Sequence, residues 1–114
     1  MTDIVASLFQ LPEVRYVARY VDGTLSLHER PGLAQASSSE SDKYEELIVN
    51  PTLIKLLQQR GNIDCGGLEY VLIRYGRFFQ FLLPVRGGHM SVAIELGSDV
   101  AAAVRRIREV IGGA

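Results

Sequence analysis

Cysteine is almost missing from this chain. Cys65 is the only one among 114 residues, so no internal disulfide can form and a thiolate zinc site has too few ligands. Histidine is nearly as scarce, with His28 and His89 alone. Neither sign of charge prevails: 12 Lys and Arg face 13 Asp and Glu, for a net charge of −1. That balance removes the electrostatic reason to seek nucleic acid or an anionic membrane surface. No apolar run approaches the ~20 residues of a membrane span, and Met1-Thr2-Asp3-Ile4 lacks the positive n-region of a secretory signal. The expectation is a cytoplasmic protein with no nucleic-acid partner and no membrane insertion. What is present is a globular mixture, 47% apolar and 22% charged, of a length that fits one domain over residues 1–114.

The hydrophobic pattern changes period several times. Thr2 to Leu11 reads as a short helix capped by Thr2, with Ile4, Val5, Leu8 and Leu11 on one face and Pro12 ending it. Val14 to Val21 alternates as a strand. Asp22-Gly23 is a hairpin signal, because both central residues of the favoured turn take positive φ. Thr24 to Arg30 returns with a half-polar, edge-like pattern. Within the loop Pro31 to Ser41, the serine-rich run up to Asp42 supplies overlapping N-caps, although it also suits a flexible linker or a phosphosite.

A long helix follows from about Asp42 to Arg60, with Gly61 as the glycine just past its end. Tyr44, Leu47, Ile48, Leu53, Ile54 and Leu57 form its apolar stripe. Asn50-Pro51 interrupts the pattern, since proline lacks a donor and crowds the preceding turn. The helix is therefore expected to bend or split there, with Asn50 leaving helical angles and capping a new turn. Leu68 to Tyr75, Phe78 to Val85 and His89 to Leu96 read as three strands joined at Gly76-Arg77 and Arg86-Gly87-Gly88. The first two are apolar on both faces, as strands covered on both sides are. Ser98 or Asp99 caps a final helix, Val100 to Ile111, with Val100, Val104, Ile107 and Ile111 inward and Gly112-Gly113 as its stop.

The residues that carry chemistry are dispersed. His28 and His89 read as surface or turn histidines with no acid at ligand-like spacing. Cys65 reads as turn packing, not as a nucleophile. Gly66-Gly67 and Gly87-Gly88 adjoin strands, not helix N-termini, and so read as turns and not phosphate cradles. Arg74, Arg77 and Arg86 with Tyr75, Phe78 and Phe79 match a solvated sheet rim better than a nucleic-acid stacking platform. Glu45-Glu46 reads as a solvated helix face. No catalytic residue, metal site or cofactor is assigned.

Helix, two strands, long helix, three strands and final helix form an uncommon order for so short a chain. This order resembles the Roadblock/dynein light chain family, which includes bacterial gliding-protein-B-like regulators of small GTPases. The residues that carry the resemblance are Leu11-Pro12-Glu13-Val14, Val21-Asp22-Gly23-Thr24-Leu25, and the closing stretch from Leu68 to Gly76 through Phe81-Leu82-Leu83-Pro84-Val85 to Val92, Ile94, Glu95 and Leu96.

The resemblance covers essentially the whole chain. It implies an α+β fold of the Roadblock/longin/profilin type, in the order α-β-β-α-β-β-β-α. A five-stranded antiparallel sheet is sandwiched by the long helix on one face and the terminal helices on the other. It further implies a homodimer built from the long helix and third strand, and no enzyme activity of its own. The function implied is a scaffold or regulator of a small Ras-like GTPase that orders the GTPase's own loops. The dimer candidates are then Leu53, Ile54, Leu57, Tyr70 and Leu72. Asn50, Lys55, Gln58, Gln59 and Arg60 are the candidates for contact with the GTPase. For Arg60, a role at the helix C-terminal dipole is favoured over an arginine finger. An apolar third strand also makes a poor uncovered edge, which independently favours self-pairing. The rival class is a small ligand-sensing or interaction module, disfavoured because no strand position reads as buried and polar.

Overall fold

Antiparallel pairing draws the strands into one five-stranded sheet in the order β2-β1-β5-β4-β3. A computed structural model describes residues 3–33 and 36–112. The elements are α1 (Ile4–Phe9), β1 (Val14–Val21), β2 (Thr24–Glu29), α2 (Ser39–Tyr44), a π-helical turn (Glu45–Val49), α3 (Asn50–Asp64), β3 (Val71–Arg74), β4 (Phe79–Val85), β5 (Gly88–Ile94) and α4 (Val100–Gly112). The α+β order expected from the sequence is the order observed. Asp22 and Gly23 take φ of 52° and 80°, as the β1–β2 turn requires.

The two sheet faces differ in chemistry. Cross-strand partners share a face, so Val17, Val92 and Phe81 lie on one side and Ala18, Ser91 and Leu82 on the other. The first face is apolar. Val14, Val17, Phe81, Met90, Val92 and Ile94 pack there with Leu8 of α1 and with Ala103, Val104 and Ile107 of α4. These two helices form the conventional core layer.

Side chains secure their ends. Asp3 caps α1 by accepting from the Val5 and Ala6 amides; the proposed cap Thr2 lies outside the described residues. Arg30 donates to the carbonyls of Phe9, Leu11 and Val14 and lies over the Phe9 ring, so it closes the far end of α1. Asp99, not Ser98, caps α4 by accepting from the Ala102 amide. Gly112 belongs to the helix, and Gly113 lies outside the described residues.

The middle helical stretch, α2 through α3, covers the second face and differs from expectation at both ends and at its centre. It begins at Ser39, capped by the Ser38 hydroxyl, and not at Asp42. It continues to Asp64, so Gly61 lies inside the helix and Gly66, at φ 81°, follows its end. Gly61 is needed for a different reason. The chain leaving the helix passes over it, and a Cβ at Gly61 would lie 3.1 Å from the Gly67 carbonyl carbon. The Gly61 carbonyl accepts from both the Cys65 and Gly67 amides at 3.0 Å.

At the centre the helix does not split. Asn50 keeps helical angles, φ −66° and ψ −44°, and its amide donates to the Glu45 carbonyl across the π turn. The disturbance from Pro51 is absorbed by that wider turn. The Thr52 hydroxyl donates to the Ile48 carbonyl at 2.6 Å, supplying a donor beside the residue that has none.

At Gly88 an added Cβ would lie 1.8 Å from the Tyr20 carbonyl oxygen, whereas nothing approaches Gly76. Gly88→Ala is expected to cost about 2–3 kcal/mol through backbone overpacking in the β1–β5 ladder. Gly76→Ala should stay within ~0.5 kcal/mol of the parent. Urea unfolding of the two variants checks both values.

Candidate functional site

The middle helix is inside out. Its residues against the sheet are Asp42, Glu46, Asn50 and Ile54, of which Glu46 and Asn50 are fully buried. Its exposed residues include Tyr44, Leu47, Ile48, Leu56 and Ile63, the last 76% exposed. A regular α-helix over-rotates by about 40° at each four-residue step. The π turn Glu45–Val49 lies within the run 42, 46, 50, 54 and takes up that drift. Four residues at strict four-residue spacing thereby stay on one face.

The sheet under this helix is shaped for polar cover. On β5, Met90, Val92 and Ile94 serve the apolar core, which leaves His89, Ser91 and Ala93 for the opposite face. Their β1 partners there are Tyr20, Ala18 and Tyr16. Glu46 is the hub. Its Oε1 is 2.8 Å from His89 Nε2 and accepts from Asn50 Nδ2 at 3.0 Å. Its Oε2 accepts from the Tyr16 hydroxyl at 3.3 Å. The Tyr20 ring tilts against the His89 imidazole with centroids 5.8 Å apart, and the Gln80 amide donates to the Ser91 hydroxyl nearby. Asn50 Oδ1 is buried without a partner.

Negative charge accumulates toward the start of the helix. Burial pushes the Glu45 carboxyl up, as do the neighbouring Glu46 and Asp42 charges, against the opposing effect of the Tyr75 hydroxyl that donates to it at 3.0 Å. Tyr75 is itself pushed up to about 12, first by burial and then by Glu45. Burial and the Glu46, Asp42 and Glu45 charges hold the Tyr16 phenol far above its ordinary range. The void among Arg15, Tyr16, Asp42, Glu45, Phe78 and Gln80 is only about 20 Å³, the room of a single water. Among the described residues, no group of three or more His, Cys, Asp or Glu is placed to hold a metal ion.

Several sequence expectations change here. His89 is buried, 3% exposed, and its acid partner arrives from the middle helix 43 residues away in sequence. Glu46 is buried instead of solvated, and Cys65 is exposed instead of packed. Polar strand residues are indeed buried, namely Gln80, His89 and Ser91. Of the partner candidates, Lys55, Gln59 and Arg60 are exposed and Gln58 is half-buried, but Asn50 faces the sheet and reaches no surface. The Arg60 guanidinium is paired with Asp64 at 2.6 Å and lies 3.3 Å from Cys65 Sγ. Of the dimer candidates, Tyr70 and Leu72 are each 40% exposed and Leu53 and Leu57 half-buried, while Ile54 is already buried within the chain. Both Asn50 and Ile54 fall on the inward row that the π turn aligns.

Compared by sequence, the chain matches no family model and no curated protein. Compared by structure, it is similar to the Roadblock/LC7 domain from Streptomyces avermitilis, with a TM-score of 0.70 and 16% identity over 95% of this chain and 88% of that one. The fold is that of a Roadblock/LC7 domain.

The raised Tyr16 phenol has a measurable consequence. Because folding favours its protonated form, that contribution is complete below about pH 10 and is lost as pH rises further. Absorbance titration should find Tyr16 silent among the five tyrosines until the protein unfolds. Tyr16→Phe, which removes a hydrogen bond to a carboxylate, is expected to cost about 1.5–3 kcal/mol at pH 7 but to flatten the alkaline loss. Urea unfolding at pH 7, 9 and 11 reads both effects.

Proposed function

We propose that this chain is a non-catalytic interaction module that works as a two-fold homodimer and binds a small Ras-like GTPase. The observation that carries the reading is the reversed middle helix. Tyr44, Leu47, Ile48, Leu56 and Ile63 present large apolar side chains to solvent along the outer side of that helix. Five large apolar side chains exposed on one helix favour an interaction surface there.

A second copy of the chain suits that surface. Two copies related by a two-fold axis can cover these outer apolar side chains against each other. The four-residue β3 strand, unpaired on its outer side, extends the same contact through backbone hydrogen bonds. Lys55, Gln59 and Arg60 remain polar and exposed at the end of the helix, which supports a further protein contact there. The GTPase as that partner rests on the resemblance to Roadblock proteins. In this reading the module positions the GTPase's own catalytic groups and donates none.

Sedimentation at micromolar concentration is expected to give a dimer, and a monomer would overturn the reading. Leu56→Glu should weaken association by roughly 100-fold or more, because it buries an unpaired charge, with the circular-dichroism spectrum unchanged. For the partner, Lys55→Glu with Gln59→Glu should remain dimeric while losing capture of a GTPase loaded with a GTP analogue. Equal capture by the parent and this variant, or no nucleotide-dependent capture at all, would refute the GTPase assignment.

A further inference from the structure

The connection from β3 to β4 stands against the start of the middle helix. Its turn closes with the Tyr75 amide donating to the Phe78 carbonyl at 3.0 Å, and the two rings lie side by side with centroids 5.6 Å apart. The Tyr75 hydroxyl reaches across and donates to Glu45 on the π turn at 3.0 Å. Between this connection and the helix runs an open groove of about 400 Å³. Tyr44, Val49, Tyr75 and Phe78 supply its apolar lining, and Asp42 and Glu45 its acids. The two hydrogen bonds hold its walls in place, so the groove is formed before any guest arrives.

The charge around this groove is one-sided. Among the described residues, none of the side chains that line it is basic. Behind it lies the water-sized void, which shares Asp42, Glu45 and Phe78 with the groove and adds Glu29. The cations nearby already have acid partners: Lys43 pairs with Glu40 at 3.7 Å, and Arg15 with Glu95 at 2.5 Å. Two groups register the resulting field. Burial pushes the Glu45 carboxyl up and the Glu46 and Asp42 charges add to it, against the Tyr75 hydrogen bond; Tyr75 is raised by burial and then by Glu45. A cation entering the groove would relieve both.

Aromatic rings beside carboxylates select a cation, and their arrangement selects which one. A guanidinium is planar, stacks on rings and donates in a fork to carboxylate oxygens, whereas an ammonium is a compact, strongly hydrated point charge. Phe78 accepts a guanidinium within this chain, since Arg15, which lines the void, lies over its ring at 5.4 Å.

We propose that this groove docks an arginine side chain presented by a partner protein, with the guanidinium against Tyr75 and Phe78 and its N–H groups donating to Glu45 and Asp42. The site requires neither the homodimer nor the GTPase, and it shares only Tyr44 with the outer apolar surface of the helix.

NMR titration of the full chain at pH 7 with N-acetyl-arginine amide tests this, beside its neutral isostere N-acetyl-citrulline amide and N-acetyl-lysine amide. The arginine compound is expected to shift the Glu45, Tyr75 and Phe78 amides saturably, with citrulline at least about tenfold weaker and lysine several-fold weaker. Glu45→Gln and Phe78→Leu should each weaken arginine binding by about fivefold or more with the remaining spectrum unchanged. Absence of saturable shifts at these amides, or equal binding of arginine and citrulline, would overturn the proposal. Lysine binding as tightly as arginine would overturn the choice of guanidinium. Shifts of Tyr75 and Phe78 with protein concentration alone would put a second copy of this chain in the groove and overturn the partner assignment. Should either variant not fold, the arginine–citrulline comparison on the parent chain decides the matter.

Discussion

A carboxylate buried to zero exposure constrains everything on its side of the sheet. Glu46 lies between the middle helix and the sheet, and the cost of removing its polar group from water must be offset by hydrogen bonds. Tyr16, His89 and Asn50, from two strands and the next helical turn, meet that demand. Satisfying it commits Tyr16 and His89 on the sheet and Asn50 on the helix to polar roles. It thereby empties the inner helix face of the apolar residues that would ordinarily occupy it. Leu47, Ile48, Leu56 and Ile63 are left facing outward, and Ile54 alone of the helix's leucines and isoleucines is buried against the sheet. The exposed row and the buried network are two views of one constraint.

The opposite face follows ordinary rules, and the contrast is instructive. There α1 and α4 pack Leu8, Ala103, Val104 and Ile107 against an apolar sheet, and charge appears only at the margins. Arg106 pairs with Glu13, whose carboxyl burial would raise but which its arginine partner draws below the usual range. The molecule thus divides into a dry side that supplies much of its hydrophobic stability and a polar side whose geometry is set by directional bonds. Directional bonds specify position more sharply than apolar contact does.

The element order, the β1–β2 hairpin and the inward row of α4 were legible because each depends on local pattern: period two in β1, paired positive-φ residues at Asp22-Gly23, and period 3.6 after Asp99. The polar seam was not, because its members lie far apart in sequence and only the sheet register unites them. One signal was available. Met90, Val92 and Ile94 claim one face of β5, so His89 and Ser91 must share the other, and that face needs a polar cover. The middle helix misled for a physical reason. Apolar residues at helical spacing indicate a shared face, but not whether that face meets its own sheet or something outside it. Pro51 misled likewise, since a wide turn absorbs what a rigid α-ladder would not.

Gly61 carries a consequence for how this protein tolerates change. The segment leading to β3 crosses the helix at the bare Cα of Gly61, and the Gly61 carbonyl fastens it by two amides. Helix and edge strand are therefore registered to each other by backbone alone, before any side chain contributes. The end of the helix and the approach to the strand form one backbone-braced plate. Surface substitutions along the helix can retune what that plate recognises without disturbing its shape. An insertion of a single residue between Gly61 and Leu68 would shear the plate in two.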